Sequence, residues 1–150
     1  MLSSARLPGC PDGFTKFEGA CFKAYHHTVT YGQARQFCAG KGGLLAMPKD
    51  RRTDDFLWNL KNAADSGSFF WFGLSDENSE GRWMWEDGTV HNVYADWGNW
   101  QEGQPNNQDG NEDCAHCNSP AKPGWNDLSC GYTAKFICQT TGVSDDIIGN

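Results

Sequence analysis

Seven cysteines constrain the fold of this 150-residue chain more than any other feature of its sequence. So many cysteines in a short chain indicate an oxidising compartment, which predicts a secreted protein or an ectodomain with disulfide bonds. Zinc binding is the alternative, because Cys114 and Cys117 have C-x2-C spacing. The next pair, Cys130 and Cys138, has seven residues between its members, whereas structural zinc sites usually have about two to four. The spacing therefore favours disulfides, and the odd count leaves one thiol over.

The length and composition predict one globular domain. Apolar residues make up 38% of the chain and include seven tryptophans and nine phenylalanines, which is enough material for one core. The formal net charge of −7 argues against binding to nucleic acid. No segment approaches the roughly 20 apolar residues of a membrane span, so membrane insertion is not expected.

Acidic residues are concentrated between residues 75 and 130. This segment holds eleven of the nineteen acids and two basic residues, for a net charge of −9. A solvated acidic surface is the usual meaning of such a segment. Here the acids alternate with asparagine and glycine among several tryptophans, which favours a folded cage of oxygen ligands for a hard cation such as calcium. The acids are Asp76, Glu77, Glu80, Glu86, Asp87, Asp96, Glu102, Asp109, Glu112, Asp113 and Asp127.

Two helices are predicted in the first half of the chain. The first begins with the capping-box pattern of Thr30 and Gln33, continues with Cys38 facing inward, and stops at Gly42-Gly43. Asp50 is placed to cap the second helix, which ends near residues 65–67. The face of the second helix that we expect to be buried consists of Phe56, Leu60 and Ala63.

Strands are expected to be short and mostly in the second half. Turn residues between Cys10 and Phe22 predict a hairpin of two short strands. The aromatic run 69–74 is too short for a helix and predicts a buried strand. Between Trp85 and Asp113 lies a long segment rich in glycine, asparagine and aspartate, and loops of that length in a compact domain are usually functional. Further short strands are expected at 82–85, 113–118, 124–126 and 135–139.

In this order, the pieces resemble the C-type lectin domain family over about residues 10 to 139. The resemblance implies an α+β fold in which two helices flank short antiparallel sheets and a long loop is stabilised by calcium. Residues 1–9 are then an N-terminal extension and 140–150 a C-terminal tail. The motifs that carry it are Cys10-Pro11-Asp12-Gly13, Cys21-Phe22, Thr30 to Cys38, Gly42 to Ala46, Trp71-Phe72-Gly73-Leu74, Trp83 to Thr89, Trp100 to Asn106, Glu112-Asp113-Cys114, Trp125-Asn126-Asp127 and Phe136-Ile137-Cys138.

The resemblance also implies a disulfide pairing, which six cysteines alone would leave open among about 15 arrangements. The implied bridges are Cys10–Cys21, Cys38–Cys138 and Cys114–Cys130, the first of which marks the long form of the family. Cys117 then stays unpaired. A buried, inert thiol and an interchain bridge are its two readings, and the first is favoured because the family usually has an apolar core residue here.

Two calcium sites are implied as well. The principal one consists of Gln104, Asn106, Glu112, Asn126 and Asp127, which would also hydrogen-bond to a sugar whose two adjacent hydroxyls ligate the ion. A cis peptide bond is expected before Pro105, which lies between two ligands. The second site consists of Asp76, Glu80, Asn107 and Asp113, and the competing reading is that Asp76 and Glu80 only solvate a loop.

The sugar is left undetermined by the motif Gln104-Pro105-Asn106. In the family, mannose-type selectivity accompanies Glu-Pro-Asn and galactose-type selectivity accompanies Gln-Pro-Asp, so this chain has half of each. The two amides also leave the cage with one negative charge fewer than either pattern, and weaker calcium binding is expected. Trp97 is a weak candidate for stacking on a sugar.

The leading functional prediction is calcium-dependent carbohydrate binding by a secreted or ectodomain lectin module, with glycan recognition in innate defence as one such role. The alternative is a lectin-like domain that binds a protein ligand with a weakened or lost sugar site. Single sites of this kind are weak, so a homo-oligomer would help. No enzyme motif is present, and the histidines are interpreted as surface residues: His26, His27, His91 and His116.

Overall fold

A computed structural model describes residues 9–105, 110–117 and 123–141, where it has two helices and nine strands. Seven strands belong to the regions where strands were predicted, while the two-residue strands Leu44–Leu45 and Val90–His91 were not predicted. Neither described helix is long and apolar enough to cross a membrane. In chain order the elements are β1 (Thr15–Phe17), β2 (Ala20–Val29), α1 (Tyr31–Gly40), β3 (Leu44–Leu45), α2 (Arg51–Asp65), β4 (Phe70–Ser75), β5 (Trp83–Trp85), β6 (Val90–His91), β7 (Cys114–Cys117), β8 (Trp125–Leu128) and β9 (Ala134–Thr141).

Helix α1 begins at the predicted capping box. The Thr30 hydroxyl accepts a hydrogen bond from the backbone N–H of Gln33 at 3.3 Å, and the Gln33 side chain accepts one from the backbone N–H of Thr30 at 3.0 Å. These bonds satisfy two donors that the start of a helix otherwise leaves unpaired. The buried residues of α1 are Tyr31, Ala34 and Cys38, at helical spacing, so Cys38 faces inward as predicted.

Helix α2 is capped by Asp50, whose carboxylate accepts from the backbone N–H of Thr53 at 2.8 Å. Its buried face differs from the prediction, because Ala63 is exposed and the fully buried positions include two charged residues. Lys61 is buried since its ammonium donates to two backbone carbonyls at 3.4 Å and lies over the Trp58 ring. The hydrogen-bond partners of Lys61 are backbone carbonyls, which a pattern of apolar side chains does not reveal. The buried residues of α2 are Asp54, Leu57 and Lys61.

The sheet is organised around the pairing of β2 with β9, which is antiparallel. Strand β4 lies parallel to β9 on the other side and pairs antiparallel with β5 and β7. Strands β7 and β8 form an antiparallel pair at the edge where the acidic segment returns to the core. The strands predicted as short at 113–118 and 124–126 are thus neighbours. Strand β7 follows the long loop, and β8 carries the predicted ligands Asn126 and Asp127.

Three disulfides are present in the pairing that the resemblance implies: Cys10–Cys21, Cys38–Cys138 and Cys114–Cys130. The second joins α1 to β9 across a sequence separation of 100 residues. Cys117 is free and buried, and burial raises the pKa of its thiol to about 12. A thiol with so high a pKa is almost entirely protonated at neutral pH and therefore unreactive.

Two of the four histidines are in the interior, so the expectation that all four lie on the surface is wrong. His91 is 3% exposed and accepts a hydrogen bond from the indole N–H of Trp100 at 3.1 Å. His116 is fully buried, with its ring centroid 4.6 Å from that of Phe69. Both are held by aromatic side chains from other elements, a type of contact that the local sequence does not show.

The burial of His116 predicts a loss of stability in mild acid. Burial lowers the pKa of His116 to about 4, from its ordinary value of 6.5. Because the folded pKa lies below the unfolded one, the unfolded chain binds the proton more readily. The contribution of His116 to the free energy of unfolding is therefore fully present above about pH 6.5. It is lost as the pH falls towards about 4, and the total loss is about 3 kcal/mol.

Urea unfolding of the chelator-treated protein between these pH values tests this prediction. His116→Leu is expected to flatten the part of the pH dependence that comes from this side chain. His26→Leu, at an exposed histidine, is the matched control and should follow the wild type. Parallel pH profiles for wild type and His116→Leu would show that His116 is not the titrating group.

Candidate calcium site

The base of the long loop is fixed against β8 by backbone hydrogen bonds. The N–H of Trp125 donates to the carbonyl of Asn99 at 2.7 Å, and the N–H of Gln101 donates to the carbonyl of Trp125 at 2.9 Å. Gly124 permits this close approach, since a Cβ there would lie 2.9 Å from the Asn99 carbonyl oxygen. The loop thus leaves the core directly beside the strand that carries Asn126.

A buried carboxylate on α2 ties the same region together. Asp54 is 9% exposed and accepts from the indole N–H of Trp125 at 2.8 Å and from the side-chain amide of Asn99 at 2.9 Å. Burial raises the pKa of Asp54, while these two hydrogen bonds act against that rise. Sequence reasoning did not find this residue, because an aspartate in the first turn of a helix is usually a solvated partner of the helix dipole.

The principal predicted ligands lie around the end of this loop. The Gln104–Pro105 peptide bond is cis, and the backbone N–H of Gln104 donates to the carbonyl of Gln101 at 2.9 Å. Asp127 is fully buried in β8, next to Asn126. Gln104 and Asp127 line one cleft of about 270 Å³ together with two predicted ligands of the second site, Asp76 and Glu80.

The other predicted ligands of the principal site are Glu112, Asn126 and Asn106. Glu112 and Asn126 are half-buried, and neither is among the described residues that line this cleft. The side-chain oxygen of Asn126 is nevertheless buried, and no described residue donates a hydrogen bond to it. Asn106 lies outside the described residues.

The second predicted site is a cluster of three carboxylates. Asp76, Glu80 and Asp113 each offer one oxygen atom, and these three atoms lie within 4.8 Å of one another. Asp76 is 2% exposed and accepts from the backbone N–H of Gly81 at 2.8 Å. Burial raises the pKa of Asp76 well above its ordinary value, and the nearby Asp113 and Glu80 add to that rise. Asn107 lies outside the described residues.

These residues fit a calcium ion. The Oδ1 atoms of Asp76 and Asp113 are buried and have no hydrogen-bond donor among the described residues, as is true of the Asn126 oxygen. A buried acceptor without a partner costs about 1–3 kcal/mol, and carboxylates that share a buried position also repel each other. A hard divalent cation removes both costs and is bound by just such oxygen atoms. The other group with suitable spacing, Glu77, Cys114 and Cys130, is excluded because its two cysteines form a disulfide.

Trp97 is half-buried and packs against the core. Its ring makes an edge contact with Trp125 at a centroid distance of 5.7 Å, and the guanidinium of Arg51 lies over it. Trp97 is also not among the described residues that line the cleft of Gln104 and Asp127, and its stacking on a sugar stays a prediction.

Comparison with known proteins gives consistent matches. The family model of the lectin C-type domain matches residues 27–140. A C-type lectin of Cerberus rynchops is 31% identical over 142 residues, which is 92% of this chain and 87% of that protein. The lactose-binding lectin l-2 of Anguilla japonica is 33% identical over 129 residues, covering 86% and 76%. The carbohydrate-recognition domain of the mouse scavenger receptor C-type lectin superposes with a TM-score of 0.78 at 28% identity and covers 89% of this chain and 98% of its own.

Proposed function

The chain belongs to the C-type lectin family, and we propose that it binds carbohydrate through a calcium ion held by Gln104, Asn106, Glu112, Asn126 and Asp127. Membership confirms the predicted α+β fold. It also confirms the expectation of a binding module without enzymatic activity.

The buried, donor-free oxygens support the proposal most strongly. The side-chain oxygen of Asn126 and the Oδ1 atoms of Asp76 and Asp113 accept no hydrogen bond from any described residue, although burial makes that costly. A surface that served only to solvate a loop would expose these atoms to water. A divalent cation in the region satisfies them, which is why we favour an ion-dependent function over a surface that needs no ion.

The residues of the chain supply the polar contacts to the sugar. A bound calcium ion offers free coordination positions to two neighbouring hydroxyls. The carboxylates of Glu112 and Asp127 supply negative charge and accept hydrogen bonds from those hydroxyls, while the amide of Gln104 donates one. Because Gln104 and Asn106 both present donors, one of them is left poorly matched, and we expect modest affinity for a single sugar.

The proposal also covers a second ion, the bounds of the domain, its location and its action in several copies. We propose a second ion at Asp76, Glu80, Asn107 and Asp113, and a domain that extends over residues 10–139. The three disulfides support an extracellular or ectodomain location. Several copies acting together would raise the affinity for a cell-surface or microbial glycan, as a defence role requires.

A glycan panel probed in calcium and again in EDTA tests the proposed function. We expect binding to mannose-type or galactose-type glycans in calcium and its loss in EDTA, restored when calcium is added back. The eel relative is named for lactose binding, so lactose belongs in the panel beside mannose-terminated glycans. The absence of any glycan signal, together with EDTA-resistant binding to a protein, would instead support the protein-binding alternative.

A further inference from the structure

An exposed tyrosine lies beside the candidate calcium site. Tyr94 is 97% exposed, yet it lines the same cleft as Gln104, Pro105 and Asp127. Trp83 also lines this cleft but is only 3% exposed. Among the described residues, Tyr94 is thus the exposed aromatic ring of the cleft. The other large exposed apolar side chains of the described residues, none of which lines this cleft, are Leu44, Phe69, Val90 and Tyr132.

The turn that carries Tyr94 is fixed by hydrogen bonds. The side-chain oxygen of Asn92 accepts from the backbone N–H groups of Tyr94 at 2.8 Å and of Ala95 at 3.2 Å. The carboxylate of Asp96 accepts from the backbone N–H of Asn92 at 2.8 Å. The preceding residue, Val93, packs against the core. The backbone below the ring is therefore ordered before any ligand binds, which reduces the entropy lost on binding.

The fold does not require an aromatic residue at position 94. The hydrogen bonds of the turn use the side chains of Asn92 and Asp96 and backbone atoms, but not the tyrosine side chain. At 97% exposure the ring buries almost no surface and adds little to stability. A single exposed tyrosine is ordinary on a protein surface, but its position on the wall of a cleft with candidate ligands calls for a ligand-based explanation.

The composition of the cleft identifies the kind of ligand that would contact this ring. Asp76, Glu80 and Asp127 make the cleft acidic, which disfavours an anionic ligand. A neutral saccharide offers hydroxyls to the carboxylates and the Gln104 amide, and the C–H face of its ring packs on an aromatic surface. Tyrosine gives such a contact at low conformational cost because only two side-chain torsions are fixed.

We infer that Tyr94 forms a second saccharide subsite, which packs against the sugar unit next to the one bound at the calcium ion. This inference rests on the proposed function and deepens it: the chain binds a disaccharide or longer glycan more tightly than the terminal monosaccharide alone. Tyr94 is the residue that carries this preference.

Calorimetric titration in calcium tests the subsite, with galactose against lactose and mannose against mannobiose as probes. For at least one pair, the wild type is expected to bind the disaccharide about threefold to tenfold more tightly, the range of one aromatic contact. Tyr94→Ala loses this preference but keeps the wild-type affinity for the monosaccharide and for calcium. Tyr94→Phe keeps the preference, and the matched control Tyr132→Ala, at a tyrosine 60% exposed outside the cleft, does not change it.

Two results would overturn the subsite while leaving the proposed function intact: equal wild-type affinity for both members of each pair, or an undiminished disaccharide preference in Tyr94→Ala. A wild-type protein that binds neither member of either pair in calcium would overturn both the proposed function and this inference. Unfolding curves of Tyr94→Ala should overlay those of the wild type, because the ring is exposed.

Discussion

Replacing Asp127 with asparagine is expected to weaken calcium binding by about 100-fold or more and to abolish calcium-dependent glycan binding. The substitution keeps the size of the side chain and removes one unit of negative charge. At a ligand distance of about 2.4 Å, one charge and a divalent ion interact by about 3.5 kcal/mol even with the dielectric constant of water. The effect is large here because the proposed principal site contains only two carboxylates, Glu112 and Asp127.

Calorimetric titration with calcium and thermal unfolding with and without calcium measure this effect. Ligand binding to the folded state raises the melting temperature, so calcium should stabilise the wild type more than Asp127→Asn, which would keep only the proposed second ion. Asp55→Asn, at an exposed position of α2, is the control for loss of a charge and should keep wild-type behaviour. Because Asp127 is fully buried, the two proteins are first compared in EDTA, which separates a folding defect from a calcium defect. Equal calcium affinity in both would exclude Asp127 as a ligand.

Removing the Cys38–Cys138 bridge is expected to cost the most stability of any disulfide. The bridge closes a loop with a sequence separation of 100 residues, and the chain-entropy model gives about 4.7 kcal/mol for a loop of that size. The Cys10–Cys21 bridge, with a separation of 11 residues, gives about 3 kcal/mol in the same model. The paired alanine variants therefore form a matched comparison with the same chemistry and different loop lengths.

Urea unfolding of both double variants in EDTA measures the difference. We expect Cys38→Ala/Cys138→Ala to unfold at a clearly lower urea concentration than Cys10→Ala/Cys21→Ala, with a gap of about 2 kcal/mol. A greater loss for the short bridge would show that loop entropy does not dominate, and that local structure around β1 depends on its disulfide.

Local signals in the sequence were sufficient to predict where the two helices begin. Thr30 with Gln33, and Asp50 alone, mark the helix starts because caps act within about one turn. The two-residue strands β3 and β6 have no such signal, since their residues become strands only by pairing with β9 and β5. The disulfide pairing and the ligand sets depended on the family resemblance, because many pairings are compatible with the cysteine spacing.

The sequence did not predict which polar residues would be buried. Asp54, Lys61, His91 and His116 are each charged or titratable, and an isolated residue of that kind is usually exposed. Asp54 and His91 are buried because their partners come from other parts of the fold, the indole of Trp125 for Asp54 and the indole of Trp100 for His91. Lys61 is buried because its ammonium donates to backbone carbonyls just beyond its own helix. The sequence did not single out Tyr94 as a binding residue, because its proposed role depends on the cleft that it lines and not on its neighbours in sequence.

A crystal structure of the chain grown in excess calcium with a bound monosaccharide tests the central claim most directly. We predict density for one ion at about 2.3–2.6 Å from oxygen atoms of Glu112, Asn126 and Asp127, with two adjacent sugar hydroxyls completing its shell. A structure in which Glu112 and Asp127 point away from each other, with no ion between them and the sugar bound elsewhere, would contradict it.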